Sequence, residues 1–155
     1  MTTYTLDKIA SVTKNLHLPN VITVAATVDA SEGAVLVVEV LEDKAIYNQL
    51  ELVSGRMSTL QKGDIIAVAL GNRRALKGFV GNVPTALNIG DVIQVLNMGG
   101  VDGICISENI REVGHALNVK VLGAATQSGQ LLNIKQGKLF DEQAHLTTAV
   151  PLIVV

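Results

Sequence analysis

Leu60-Gln61-Lys62-Gly63-Asp64-Ile65-Ile66-Ala67-Val68 recurs twenty-seven residues later as Leu87-Asn88-Ile89-Gly90-Asp91-Val92-Ile93-Gln94-Val95, on the shared pattern L-x-x-G-D-[IV]-I-x-V. Gly63 and Gly90 admit a positive φ at no steric cost. Asp64 and Asp91 can accept a hydrogen bond from a nearby backbone N–H, and β-branched residues follow at once. Each copy therefore reads as a turn feeding a strand, with its Asp at the turn and its Ile and Val residues inward.

Upstream of the repeat, residues 1–20 carry two conflicting signals. Leu6, Ile9, Val12 and Leu16 recur at helical spacing, whereas Thr2, Thr3, Tyr4 and Thr5 favour a strand. Residues 21–28 and 34–41 are β-branched runs around the turn residues Asp29-Ala30-Ser31-Glu32-Gly33, which predicts a hairpin. A third strand is expected over 45–53, with Ile46, Asn48, Leu50 and Leu52 on one face.

Downstream of the first copy, Gly71, Gly78 and Gly81 disfavour a helix, so residues 73–80 read as a loop and a short strand. Residues 107–114 suit one helical turn, 119–124 a strand, and 131–134 with 138–140 a hairpin about Gly137. The final run, 149–155, reads as a strand that pairs in the sheet, docks on another subunit, or opens a following α/β domain as its buried first strand.

Short strands with glycine punctuation every eight to fourteen residues predict one mainly β domain over 1–155. Its expected form is a small closed or partly open β-barrel, built of two G-D strand units about a pseudo-two-fold axis, with one or two short helices. Closure would remove the unpaired edges that so many β-branched runs create.

Composition narrows the function. Hydrophobic residues make up 48% of the chain, in short runs far below the roughly eighteen to twenty residues of a membrane helix, so no membrane association is expected. The net charge of −2 and the absence of Trp give neither a basic field nor a stacking platform, which argues against nucleic acid. One cysteine, Cys105, and no secretory pattern at the start predict a cytoplasmic setting.

The densest polar cluster is Gly71-Asn72-Arg73-Arg74-Ala75-Leu76-Lys77-Gly78, directly after the first G-D strand. Arg73 and Arg74 offer planar forks for a carboxylate or phosphate, with Lys77 as a point charge and Asn72 beside them. The alternative is a solvated loop whose charges keep an apolar chain soluble. The glycine spacing is not that of a nucleotide P-loop. A second glycine-rich loop, Asn97-Met98-Gly99-Gly100-Val101-Asp102-Gly103, leaves its strand at nearly the same offset. Gly99, Gly100 and Asp102 could therefore complete one pocket with the first loop, or the glycines could serve turn geometry alone. His17, His115 and His145 lack metal-ligand spacing. Cys105, between Ile104 and Ile106, reads as a buried inert thiol rather than a nucleophile paired with His115.

No nucleophile, base and orienter set stands out. The expected function is a non-catalytic, regulatory binding module for a small anionic ligand or a partner protein. The alternatives are an enzyme whose site another domain or subunit completes, and a structural homo-oligomer that turns its apolar excess into interface. No cofactor is assigned. Truncating Arg73 and Arg74 together is expected to leave folding intact.

Overall fold

The two G-D turns share one wiring in the computed structural model, which describes residues 1–141 and Ile153. Gly63 and Gly90 adopt φ of 91° and 92°. The Asp64 carboxylate accepts from the Gln61 N–H at 2.8 Å, and Asp91 accepts from the Asn88 N–H at 2.8 Å. The Gly63 N–H and Asp64 C=O hold both backbone groups of Val40 at 2.8 and 2.9 Å; the Gly90 N–H and Asp91 C=O hold Val121 at the same two distances. Leu60 and Leu87, Ile66 and Ile93, Val68 and Val95 all enter one core. The inward expectation needs one correction. Ile65 is half-buried and Val92 is 45% exposed, because alternate side chains of a strand leave by opposite faces.

The chain is mainly β. Its strands are β1 (Thr2–Thr5), β2 (Lys8–Ile9), β3 (Val21–Ala25), β4 (Val35–Val40), β5 (Gln49–Glu51), β6 (Met57–Thr59), β7 (Ile65–Leu70), β8 (Phe79–Asn82), β9 (Val92–Val95) and β10 (Val101–Glu108). A single helical turn, α1 (Ile110–Val113), precedes β11 (Leu117–Gln127) and β12 (Gln130–Leu131). Short 3-10 turns cover Ser11–Leu16 and Ile134–Gly137. Thus the N-terminal conflict resolves as both elements, strand first and helical turn second.

Among the described residues ten strands form one mixed sheet with a path β1-β3-β11-β4-β7-β10-β8. Strand β9 pairs with both β10 and β11, so β11, β4, β7, β10 and β9 make a partial ring. The β7–β10 contact is parallel and two residue pairs long, Val101 with Ala69 and Asp102 with Leu70. Leu36, Val38, Val40, Ile66, Val68, Leu70, Val119 and Val121 fill the inside of the ring. Val35, Val37 and Ala67 leave by the opposite face of the same strands and pack with Leu6, Ile22 and Val24 in a second core. Burial on both faces is why Val35-Leu36-Val37-Val38 of β4 is an unbroken apolar run.

Strand β11 joins the two layers. A bulge between Val121 and Gly123 shifts its register on β4, so Val119 and Val121 face the ring while Ala125 faces the second core. Gly123, at φ 155°, lies so close to the Ala25 carbonyl that a Cβ would stand 2.8 Å from it.

Three local expectations are corrected. Strands β3 and β4 do not form a hairpin, because β11 lies between them and pairs with both. The expected third strand shrinks to β5, since Tyr47 at φ 50° breaks the extended chain before it, and β5 pairs with β6 in a separate two-stranded sheet. The hairpin about Gly137 is replaced by a tighter one. Ser128 and Gly129, at φ 51° and 78°, turn β11 into β12, and residues around Gly137 form a 3-10 turn capped by Asn133. The expected strand over 149–155 lies outside the described residues.

Candidate functional site

The loops after β7 and β9 converge, but through the main chain. The Gly71 N–H donates to the Asp102 carbonyl at 3.0 Å, and the Ala69 N–H to Gly100 at 3.0 Å. Arg73 sends its guanidinium to the carbonyl of Leu96 and to the Tyr47 hydroxyl, the latter at 3.3 Å. Arg74 donates to the Arg73 and Gly81 carbonyls at 3.0 Å each and to Asn82 Oδ1 at 2.8 Å. Asn72 Oδ1 accepts from the Val83 N–H. Both forks are therefore engaged within the protein, and Lys77, which is exposed, is the cation of this cluster without such a contact among the described residues.

The second loop is packed rather than open. The Gly99 carbonyl accepts from the Val12 N–H at 3.0 Å, and a Cβ on Gly100, which has φ 87°, would fall 2.2 Å from that of Ala10. The glycines let this loop press against the 3-10 turn at Ser11–Leu16. Asp102 pairs with Leu70 on one side and Val95 on the other, and cross-strand partners share a face, so its carboxyl lies on the ring side. It is 0% exposed, and neither carboxyl oxygen has a partner among the described residues. Desolvation pushes it well above the usual carboxylate range.

An open polar pocket of about 340 Å³ lies elsewhere, where β9, β10 and the start of β11 meet. Gln94, Cys105, Ser107, Glu108, His115 and Asn118 line it, with Ile106 as an apolar wall. Its side chains hold one another. Gln94 accepts from the Cys105 N–H at 2.9 Å and donates to Asn118 Oδ1 at 3.0 Å, while Asn118 donates from Nδ2 to Glu42 at 3.0 Å. Glu108 accepts from the Ala116 N–H at 3.0 Å and stands 2.6 Å from His115 Nδ1.

The bend that delivers His115 is pinned from below. Gly114 takes φ 66°, and Lys44 donates to the Val113 carbonyl at 3.1 Å and to the His115 carbonyl, its ammonium 5.2 Å above the Phe79 ring. Partial burial lowers the Lys44 ammonium from its ordinary range, against the opposing pull of Glu42 and Glu108. The Ala116 N–H holds the Glu108 carboxyl below its ordinary range, and the His115 bond acts in the same direction. With Glu108 ionised, the proton of a neutral His115 sits on Nδ1 and Nε2 is left as an acceptor.

Cys105 has the opposite bias. Burial pushes its thiol up, the Glu108 charge adds to this, and the thiol donates to the Ser107 carbonyl at 3.5 Å. A protonated thiol is a poor nucleophile. Iodoacetamide is therefore expected to alkylate Cys105 slowly at neutral pH, with a rate that climbs only above the usual thiol range. Glu108→Gln should move that profile to lower pH. A profile at or below that of a free thiol would contradict the assigned electrostatics.

Among the described residues no three His, Cys, Asp or Glu side chains are grouped to hold a metal ion. Gln94, Ser107, Glu108 and Asn118 had no signal in the linear sequence, because they come from three strands. The sole hint was His115 ten residues after Cys105 with Glu108 between them. The chain matches no protein-family model, no curated protein and no solved structure.

Proposed function

We propose that the protein is a non-catalytic binding module whose ligand is a small polar molecule seated among Gln94, Ser107, Glu108, His115 and Asn118. One observation carries this reading: Gln94, Glu108, His115 and Asn118 are already oriented by hydrogen bonds to one another and to backbone. Preorganised donors and acceptors lower the ordering cost of binding. Placing the ligand here rather than at residues 72–77 follows from the engagement of Arg73 and Arg74 with carbonyls. The same reading takes the partial ring as a small closed barrel of two pseudo-two-fold units, supported by the matched clamping of Val40 and Val121.

A thermal-shift screen of small polar molecules tests the proposal. A ligand present at 100 times its Kd should stabilise the protein by about 2.7 kcal/mol. Calorimetric titration of the best hit should then show its affinity lost in Glu108→Gln and in Asn118→Ala. Binding that is indifferent to both substitutions would overturn the placement.

A second reading, a thiol enzyme, is favoured by Cys105, Glu108 and His115 lining one pocket with Glu108 orienting the imidazole. The upward bias of the Cys105 thiol weighs against it. The alkylation profile above separates the two.

A further inference from the structure

We propose that β1 is a self-pairing edge, through which two copies of the chain join into one continuous antiparallel sheet about a two-fold axis at Tyr4. Among the described residues the sheet path has two ends, β1 and β8. The β8 end is covered: Gly81 exchanges both backbone hydrogen bonds with Arg73, at 2.9 and 3.1 Å, and Arg74 reaches over it to the Gly81 carbonyl and Asn82. The β10–β8 register is also broken by a shift between Cys105 and Ser107. Natural edges are blunted by such charges and irregularities, and β1 has none of them. Its sequence Thr2-Thr3-Tyr4-Thr5 lacks charge, Pro and Gly, and it pairs with β3 in unbroken register.

The hydrogen-bond phase of β1 shows which groups are free. The register sets Thr5 opposite Val21, and the next step is bonded, the Leu6 N–H donating to the Asn20 carbonyl at 2.7 Å. Bonded and non-bonded pairs alternate in an antiparallel ladder, so Tyr4 and Thr2 bond to β3, whereas the N–H and C=O of Thr3 and Thr5 point away from it. No other strand among the described residues pairs with β1.

The occupant that fits this edge is a second copy. Thr3-Tyr4-Thr5 is a palindrome. Placed antiparallel to itself, it sets Thr3 against Thr5 of the partner subunit in two bonded pairs that use all four outward groups. Tyr4 then faces its own copy at a non-bonded position, where side chains come closest. Tyr4 packs on the second core beside Ile22 and Leu6, so that apolar layer continues across the two-fold axis. An uncharged strand meets itself without repulsion, and a two-fold contact closes at two copies.

Light scattering against protein concentration, with Thr3→Pro and Thr3→Val, tests this. The mass should rise from 16.3 kDa toward twice that value as concentration increases. Thr3→Pro removes an outward N–H while sparing every β1–β3 bond, and it should be monomeric throughout; Thr3→Val keeps the N–H and should associate like the parent. A parent chain monomeric at millimolar concentration, or association that survives Thr3→Pro, would overturn the proposal. Should Thr3→Pro lose its folded circular dichroism, Tyr4→Cys in a Cys105→Ser background decides. The opposed Cα atoms of a non-bonded pair, about 4.5 Å apart, allow a disulfide. Mild oxidation should give a covalent dimer, and its failure to form would overturn the proposal.

Discussion

The parent chain should lose stability as pH rises from 4 toward neutrality, and Asp102→Asn should abolish that loss. Asp102 is fully buried between Leu70 and Val95 with no partner for either oxygen among the described residues. Burial raises its pKa well above the ordinary 3.8, so the folded protein keeps the proton over a range in which the unfolded chain has released it. Unfolding there releases a proton, and stability falls by about 1.4 kcal/mol per pH unit. The contribution is complete below the unfolded-chain value and disappears as pH climbs through the folded value. Asp102→Asn cannot titrate, so its urea midpoint should be flat by comparison over this window. Asp102→Val should go further and raise stability at neutral pH by about 1–3 kcal/mol, since it removes a desolvated polar group from an apolar setting. Parallel pH dependences for the parent and Asp102→Asn would show that another group dominates.

Arg73→Ala should destabilise the fold by about 1.5–3 kcal/mol, the range for a hydrogen bond made by a charged donor. Its guanidinium meets the carbonyl of Leu96, a residue 0% exposed, and truncation would leave that acceptor unpaired where β9 ends. Tyr47 would lose its partner as well, and Tyr47 stacks edge-on against buried Phe79 with ring centroids 5.2 Å apart. Arg74→Ala should cost less, because Arg74 is exposed and water can replace its contacts. Chemical denaturation of the two single variants reads the contrast. This reverses the expectation that both arginines can be truncated freely. A stable Arg73→Ala protein would return the side chain to the role of a free anion fork.

The repeated G-D pattern determined its own local structure. Glycine at a positive φ, an Asp bonded three residues back and a β-branched run are all short-range requirements, so Gly63-Asp64 and Gly90-Asp91 could be read directly as turn and strand. The helical turn expected over 107–114, which forms at Ile110–Val113, and the mainly β class were legible for the same reason. Pairing was not. Strand β11 separates β3 from β4 because β4 is apolar on both faces and needs a neighbour on each edge, a demand that local turn chemistry at 29–33 cannot express. Gly99 and Gly100 read as pocket backbone or as turn geometry alone, and only packing against Ala10 showed that what this loop meets is the protein's own N-terminal turn. Arg73 and Arg74 carried the same charge in either reading; the carbonyls they reach lie on strands that meet them only once the ring has formed. The pocket of Gln94, Glu108, His115 and Asn118 was decided wholly by tertiary structure, since strand pairing assembles it from side chains that no spacing in the chain relates.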